Sequence, residues 1–180
     1  VGFAALKLLQ DAGCRVEVPM QQTCCGQPAF NSGDTKDTAV LARRFIEQFE
    51  PYDYVVAPSG SCAGMTRAHY PEALADDPRW AERARKLGAR TFELMGFLVD
   101  VMHYKPAGVK FPATATYHDS CSGLRELGVF DQPRALLGQV GGLTMKPLEG
   151  NDVCCGFGGT FCVKYPAISN AVVSEKAAAI

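Results

Sequence analysis

Two pairs of adjacent cysteines, each followed at once by glycine, are the residues of this chain best suited to chemistry. Cys24 and Cys25 precede Gly26 in "QTCCGQPAFNSGD" (Gln22–Asp34). Cys154 and Cys155 precede Gly156 in "VCCGFGGT" (Val153–Thr160). Neighbouring cysteines cannot easily close an unstrained disulfide with each other. Side by side, however, two thiolates can grip neighbouring metals. Thiolate is a soft ligand, suited to iron–sulfur clusters, zinc and copper(I). A glycine just after the pair lets the backbone approach closely and turns N–H groups toward cluster sulfides. Gly156–Gly159, "GFGG", is a stronger form of the same feature.

Two more cysteines sit in loops that follow strand-like segments: Cys62 in "SGSC" and Cys121 in "HDSC". One site is then expected to use Cys24, Cys25 and Cys62, and a second Cys121, Cys154 and Cys155. Cys14, at a helix-to-strand junction, reads as a small buried apolar residue. Cys162 aligns with Ser32 and has a weaker claim to be a ligand. His118 and Asp119, beside Cys121, are placed to tune a cluster, to take up protons or to make an ordinary loop hydrogen bond. His69 and His103 fall in helical contexts and read as structural. Arg67 and Arg125 each follow a Cys loop at similar distance, facing either an anion or solvent. "GFGG" lacks phosphate-loop spacing and the Lys-Ser/Thr that should follow, so it does not point to nucleotide.

The elements that must position these loops occur twice. Cys24 and Cys154 are 130 residues apart, and their flanks align as well. Phe3–Pro19 parallels Pro133–Pro147: an amphipathic helix, a Gly stop, then strand-like residues leading to the Cys-Cys-Gly loop. After the first pair, Asp34 is a helix cap, with Leu41, Phe45 and Phe49 at helical spacing. "YVVAP" (Tyr54–Pro58) reads as a buried strand ending at the Cys62 loop. Asp77-Pro78 starts a helix running toward His103 with a weak point at Gly88. "YKPAGVKFP" (Tyr104–Pro112) is the clearest linker. "ATATYHDSC" (Ala113–Cys121) is a strand entering a Cys loop, and the residues from Pro166 are helical again. The fold class expected is α/β, two tandem pseudo-repeated units with mostly parallel sheets and ligands at the loop ends of the strands. The units are 1–103, with a connector helix, and 104–180. The repeat also calls for a cysteine 33 residues before Cys24 and one 37 residues after Cys155. Both positions fall outside the chain, which reads as an internal piece of a longer protein.

Composition narrows the classes. The 180 residues are 47% apolar and 21% charged, ordinary globular values, with a net charge of −1. That charge gives no field for holding nucleic acid or an anionic membrane. The best apolar run, Leu94–Met102, is too short to span a bilayer and carries Asp100. No export signal is legible, so the protein is expected to be cytoplasmic. In a reducing compartment clustered cysteines indicate metal or redox work. Three function classes follow: an iron–sulfur electron carrier, a structural zinc-binding module, and a thiol–disulfide enzyme. No acid–base pair for substrate oxidation and no flavin fingerprint is visible, so oxidising a substrate would fall to a partner.

Four stretches in order, "QTCCGQPAFNSGD", "VAPSGSCAGM", "YHDSCSGLRELGV" and "CCGFGGTF", resemble the cysteine-rich CCG-domain proteins, most closely the lactate-utilization protein A family. The group includes the cysteine-rich parts of glycolate oxidase, anaerobic glycerol-3-phosphate dehydrogenase and heterodisulfide reductase. The resemblance implies a subunit of an L-lactate to pyruvate system working with iron–sulfur and LUD-domain partners. It implies a cluster, of the four-iron four-sulfur type, with zinc as the alternative. Two departures are visible. Met65 stands where heterodisulfide reductase completes a Cys-x-x-Cys, and Cys162 stands where the family more often has serine.

Overall fold

The computed structural model describes residues 1–180. Helix α1 (Gly2–Asp11) ends at Gly13, whose φ of 87° reverses the chain. Residues Arg15–Val18 follow, then the first Cys-Cys-Gly loop, the short α2 (Gln27–Asn31) and α3 (Thr35–Phe49). Asp34 caps α3 by accepting from Asp37 N–H at 3.0 Å. The buried stripe of α3 is Thr38, Ala42, Ile46 and Phe49. Leu41 and Phe45, expected to face the core, flank that stripe half-buried, because the packed face is turned by one position.

Strand β1 (Val55–Ala57) leads into α4 (Gly60–Gly64), which passes through a π-helical turn (Met65–His69) into α5 (Tyr70–Ala73). Helix α6 (Pro78–Gly88) is capped by Asp77. The continuous connector helix expected from Pro78 to His103 is not what forms. Ala89 and Arg90 end α6, and strand β2 (Thr91–Glu93) pairs parallel with β1 before α7 (Leu94–Gly96) and a second π-helical turn (Phe97–Val101). The weak point at Gly88 is thus a helix end, seated so closely that a Cβ there would meet the Arg67 backbone at 3.2 Å.

The second half begins with β3 (Lys110–Ala115), so the final residues of the expected linker are already strand. Helices α8 (Cys121–Leu127) and α9 (Asp131–Leu137) lead to β4 (Gly141–Met145), which pairs parallel with β3. The second Cys-Cys-Gly loop is followed by α10 (Thr160–Lys164) and α11 (Pro166–Ala178). The architecture is α/β in two units, each built on a parallel two-stranded sheet. Arg15–Val18, read as strand-like, joins neither sheet.

Two buried clusters hold the first half together. One joins Ile46, Phe49, Val55, Met65, Tyr70, Leu74 and Leu87, and includes Cys25. The other joins Ala5 and Leu9 of α1 to Leu94, Phe97 and Leu98. The halves meet where α4 lies against α8. A Cβ on Gly60 would stand 2.7 Å from Gly123 N, so only glycine permits this approach. No helix is long and apolar enough to cross a membrane.

Candidate metal and redox site

Both Cys-Cys-Gly loops adopt the same local geometry. Gly26 has φ 86° and Gly156 φ 77°, a region L side chains rarely enter. In that conformation each glycine turns its N–H back onto the first cysteine of its pair. Gly26 N donates to Cys24 Sγ at 3.4 Å, and Gly156 N to Cys154 Sγ at 3.4 Å. Gly156 is further confined, since a Cβ there would sit 2.6 Å from Ser169 O.

Each loop is also clamped by a buried hydroxyl. Tyr70 Oη donates to Cys25 O at 2.7 Å, and Ser169 Oγ to Gly156 O at 2.7 Å. Nothing in "HYPEAL" or "PAISNAV" marks these two residues, and sequence reasoning missed both. Tyr70 comes from 45 positions away, and Ser169 is the one buried residue of α11.

In the first half the structure brings Cys25 and Cys62 together. Cys62 stands at the start of α4, just past the C-terminal end of β1. Its thiol is pulled down to about 6, first by the hydrogen bond with Cys25 and then, against burial, by the Ser59 and Ser61 hydroxyls. Cys25, 5% exposed, is pushed far up by that same contact and by burial. The contact therefore favours the charged form at Cys62 and the neutral thiol at Cys25. Cys24, the neighbour of Cys25, is exposed.

In the second half the Cys121 loop is tied to the Cys154 loop. Asp119 N donates to Asn151 O at 3.0 Å, and Asn151 Nδ2 to Asp119 Oδ2 at 2.6 Å. Arg125, on α8, donates to Asp152 O at 3.4 Å. Asp119 is fully buried and takes a bidentate grip from Arg134 at 2.7 and 2.8 Å. That grip holds its carboxyl below the usual carboxylate range. Asp119 is therefore a structural anchor of the loop. His118 Nδ1, by contrast, is buried with no hydrogen-bond partner. Cys121 and Cys154 are exposed and Cys155 half-buried.

The remaining residues sort plainly. Cys14 is half-buried against the α1 cluster. Cys162 donates to Gly159 O at 3.0 Å, and its counterpart Ser32 receives Lys164 Nζ at 3.2 Å, a bond between the two Cys-Cys-Gly regions. Arg67 lies over the Phe92 ring, 5.9 Å from its centre. His69 packs on Phe30 and faces Glu126 at 3.6 Å. His103, expected to be helical, follows the second π-helical turn with φ 48°.

The model of the CCG cysteine-rich domain matches this chain twice, at residues 1–67 and 115–180. The first stretch contains Cys24, Cys25 and Cys62, the second Cys121, Cys154 and Cys155.

The chain belongs to the CCG cysteine-rich domain family.

Its relatives within that family are close. Lactate utilization protein A of Exiguobacterium sp. is 52% identical over 178 residues, covering 98% of this chain and 72% of the relative. That of Bacillus licheniformis is 49% identical over 180 residues, covering 100% and 75%. That of Halalkalibacterium halodurans is 50% identical over 176 residues, covering 98% and 72%. No solved structure matches the chain.

The donor set of this CCG protein fits a thiolate-bound group in part. Soft donors, N–H groups aimed at sulfur, Cys62 packed against Cys25 and its neighbours, and an unpartnered His118 nitrogen are features such a group would use. Against this, no three Cys, His, Asp or Glu side chains converge closely enough to hold one metal ion.

Proposed function

We propose that this protein is an iron–sulfur electron-transfer subunit of a system that oxidises L-lactate, a 2-hydroxy acid. The observation that carries the reading is the duplicated loop: the same glycine N–H on the first cysteine sulfur of each pair, 130 residues apart. Cys24, Cys25 and Cys62 would hold one cluster of the four-iron four-sulfur type, and Cys121, Cys154 and Cys155 another. A bound cluster supplies one-electron acceptance and release. The relatives' name, lactate utilization protein A, supports the lactate part of this reading.

The chain's own groups supply the setting. Gly26 and Gly156 N–H groups offset negative charge on sulfur. Ser59 and Ser61 do so at Cys62. Burial of Cys25 keeps water from one side of the first site. Because α4 packs on α8, Cys62 and Cys121 lie on adjoining helices, so electrons arriving at one site have a short protein path to the other. The substrate-oxidising step belongs to a partner; iron–sulfur and LUD-domain subunits in a reducing cytoplasm fit that role.

Anaerobic mixing tests this. Full-length protein with the partner subunits should lose visible absorption on addition of L-lactate and regain it with an oxidant. Unchanged absorption with competent partners, or bleaching by lactate with no partner present, would sink the assignment.

A further inference from the structure

The first half carries a groove of about 520 Å³. It is lined mainly by apolar side chains, among them Ala5, Leu6 and Leu9 of α1, Val16 and Val18 on one wall, and Val56 of β1 on the other. Both walls present unused backbone. No backbone hydrogen bond involves Arg15, Val16, Glu17 or Val18. Their exposure nevertheless alternates as in a strand from Cys14 to Glu17, with Cys14 and Val16 half-buried and Arg15 and Glu17 exposed, while Val18, 54% exposed, lines the groove uncovered. On the opposite wall, Val55 N donates to Arg90 O on the β2 side. By strand alternation, Val56 N–H and C=O face the groove. Unpaired backbone along both sides of an apolar slot has an unmet hydrogen-bond requirement.

We propose that this groove receives a parallel β-strand, carried by the segment of the full-length protein that precedes Val1, seated between Arg15–Val18 and β1. This rests on the internal repeat and not on the metal reading above. In the second half β4 occupies the place of Arg15–Val18, between a helix and a Cys-Cys-Gly loop. There β4 pairs parallel with β3, the strand before the preceding helices. Transferred to the first half, the counterpart of β3 precedes α1. A strand there, followed by α1 and then Arg15–Val18, makes a right-handed crossover with α1 covering the groove. The resulting order is Arg15–Val18, added strand, β1, β2. That is the order 2-1-3-4 of doubly wound folds, with the first strand central. The relatives have room for such a segment, since this chain spans 72% and 75% of two of them. Parallel sheets are ordinarily covered on both faces and rarely stop at two strands, which argues against a groove left open to solvent. A second copy of the chain would have to insert an extended apolar strand of its own, and both strands of the second half are already paired with each other.

Hydrogen exchange on the full-length protein tests this. The alternate amides of Arg15–Val18 that face the added strand, and that of Val56, should be protected as well as Val55, on the order of 100-fold or more beyond those of Lys105–Gly108. Val56→Pro removes the N–H that faces the groove and leaves the Val55 bond to Arg90. It should lower protection across Arg15–Val18 while the Thr91–Glu93 amides stay slow. Should that variant not fold, cross-strand nuclear Overhauser effects in the wild-type spectrum give the same information: residues before Val1 should show them to both Val16 and Val56. Exchange at Val56 and Arg15–Val18 as fast as at Lys105–Gly108 would overturn the proposal. So would protection that grows with protein concentration alongside dimer formation, which assigns the groove to a second copy.

Discussion

The Tyr70 hydroxyl donates a 2.7 Å hydrogen bond to the carbonyl oxygen of Cys25, and both residues are buried. A ring on α5 thereby fixes the backbone of a cysteine loop 45 positions earlier in the chain. Removing only the hydroxyl leaves a buried carbonyl without a partner. Tyr70→Phe should therefore cost about 1–2 kcal/mol in denaturant unfolding. Ser169→Ala should loosen the second loop in the same way, read as faster exchange at Gly156. Stability unchanged in Tyr70→Phe would mean that the clamp contributes nothing.

Protein free of metal should show one early-titrating thiolate. Cys62 has its pKa lowered to about 6 by the hydrogen bond with Cys25, below the roughly 8.5 of an unfolded thiol. Its stabilisation is present in full above the unfolded value and is lost as pH falls through about 6. Cys25 is raised, so its contribution is present below the unfolded value and is lost on the alkaline side. Ultraviolet thiolate absorbance should rise by one group near pH 6, and Cys62→Ser should abolish that step. A first thiolate appearing only above about pH 8 would contradict the pairing.

The Asp119–Arg134 pair should matter more than an ordinary surface ion pair. Asp119 has no exposed side chain, while Arg134 keeps about a third of its own. Asp119→Ala strips the partner from a half-desolvated guanidinium and the acceptor from Asn151. The expected cost is roughly 2–3 kcal/mol, below that of a fully buried pair because Arg134 keeps water. The Asp119 carboxyl lies below its usual range, so its stabilisation persists through mildly acid pH and is lost only as pH falls through that depressed value. Unfolding curves at neutral and acid pH check both statements, and a cost within about 0.5 kcal/mol would place the pair among the weak surface ones.

Gly60→Ala should separate the two halves. The new Cβ would meet Gly123 N at 2.7 Å and Gly123 Cα at 2.9 Å, backbone atoms that cannot swing aside. Overpacking of this kind costs about 1–3 kcal/mol. Chemical-shift or exchange changes should concentrate on Gly60–Gly64 and Cys121–Leu127. A silent substitution would mean that the helices are less tightly seated.

The Cys-Cys-Gly pairs, their duplication, the strand before Cys62 and the cap at Asp34 are legible in the sequence because each has a local cause: a glycine turn, a repeat spacing or a capping side chain. Strand β2 is not legible. Its three residues lie between helical stretches, and only β1 beside it makes Thr91–Glu93 a strand. Leu41 and Phe45 show helical spacing, but which side of α3 packs is decided by Tyr70 and Leu87 from distant segments. Tyr70, Ser169 and the Asp119–Arg134–Asn151 network act across 13 to 45 positions. No local pattern announces such bonds.

The most direct test of the central claim is metal content. Full-length protein purified without oxygen should be brown and should contain iron with acid-labile sulfide. Cys25→Ser and Cys155→Ser should each lower the iron at its own site, by about half of the total if the two sites load equally, while Cys14→Ser should leave it unchanged. Colourless protein that binds only zinc, holds no sulfide and still supports lactate oxidation with its partners would contradict the account.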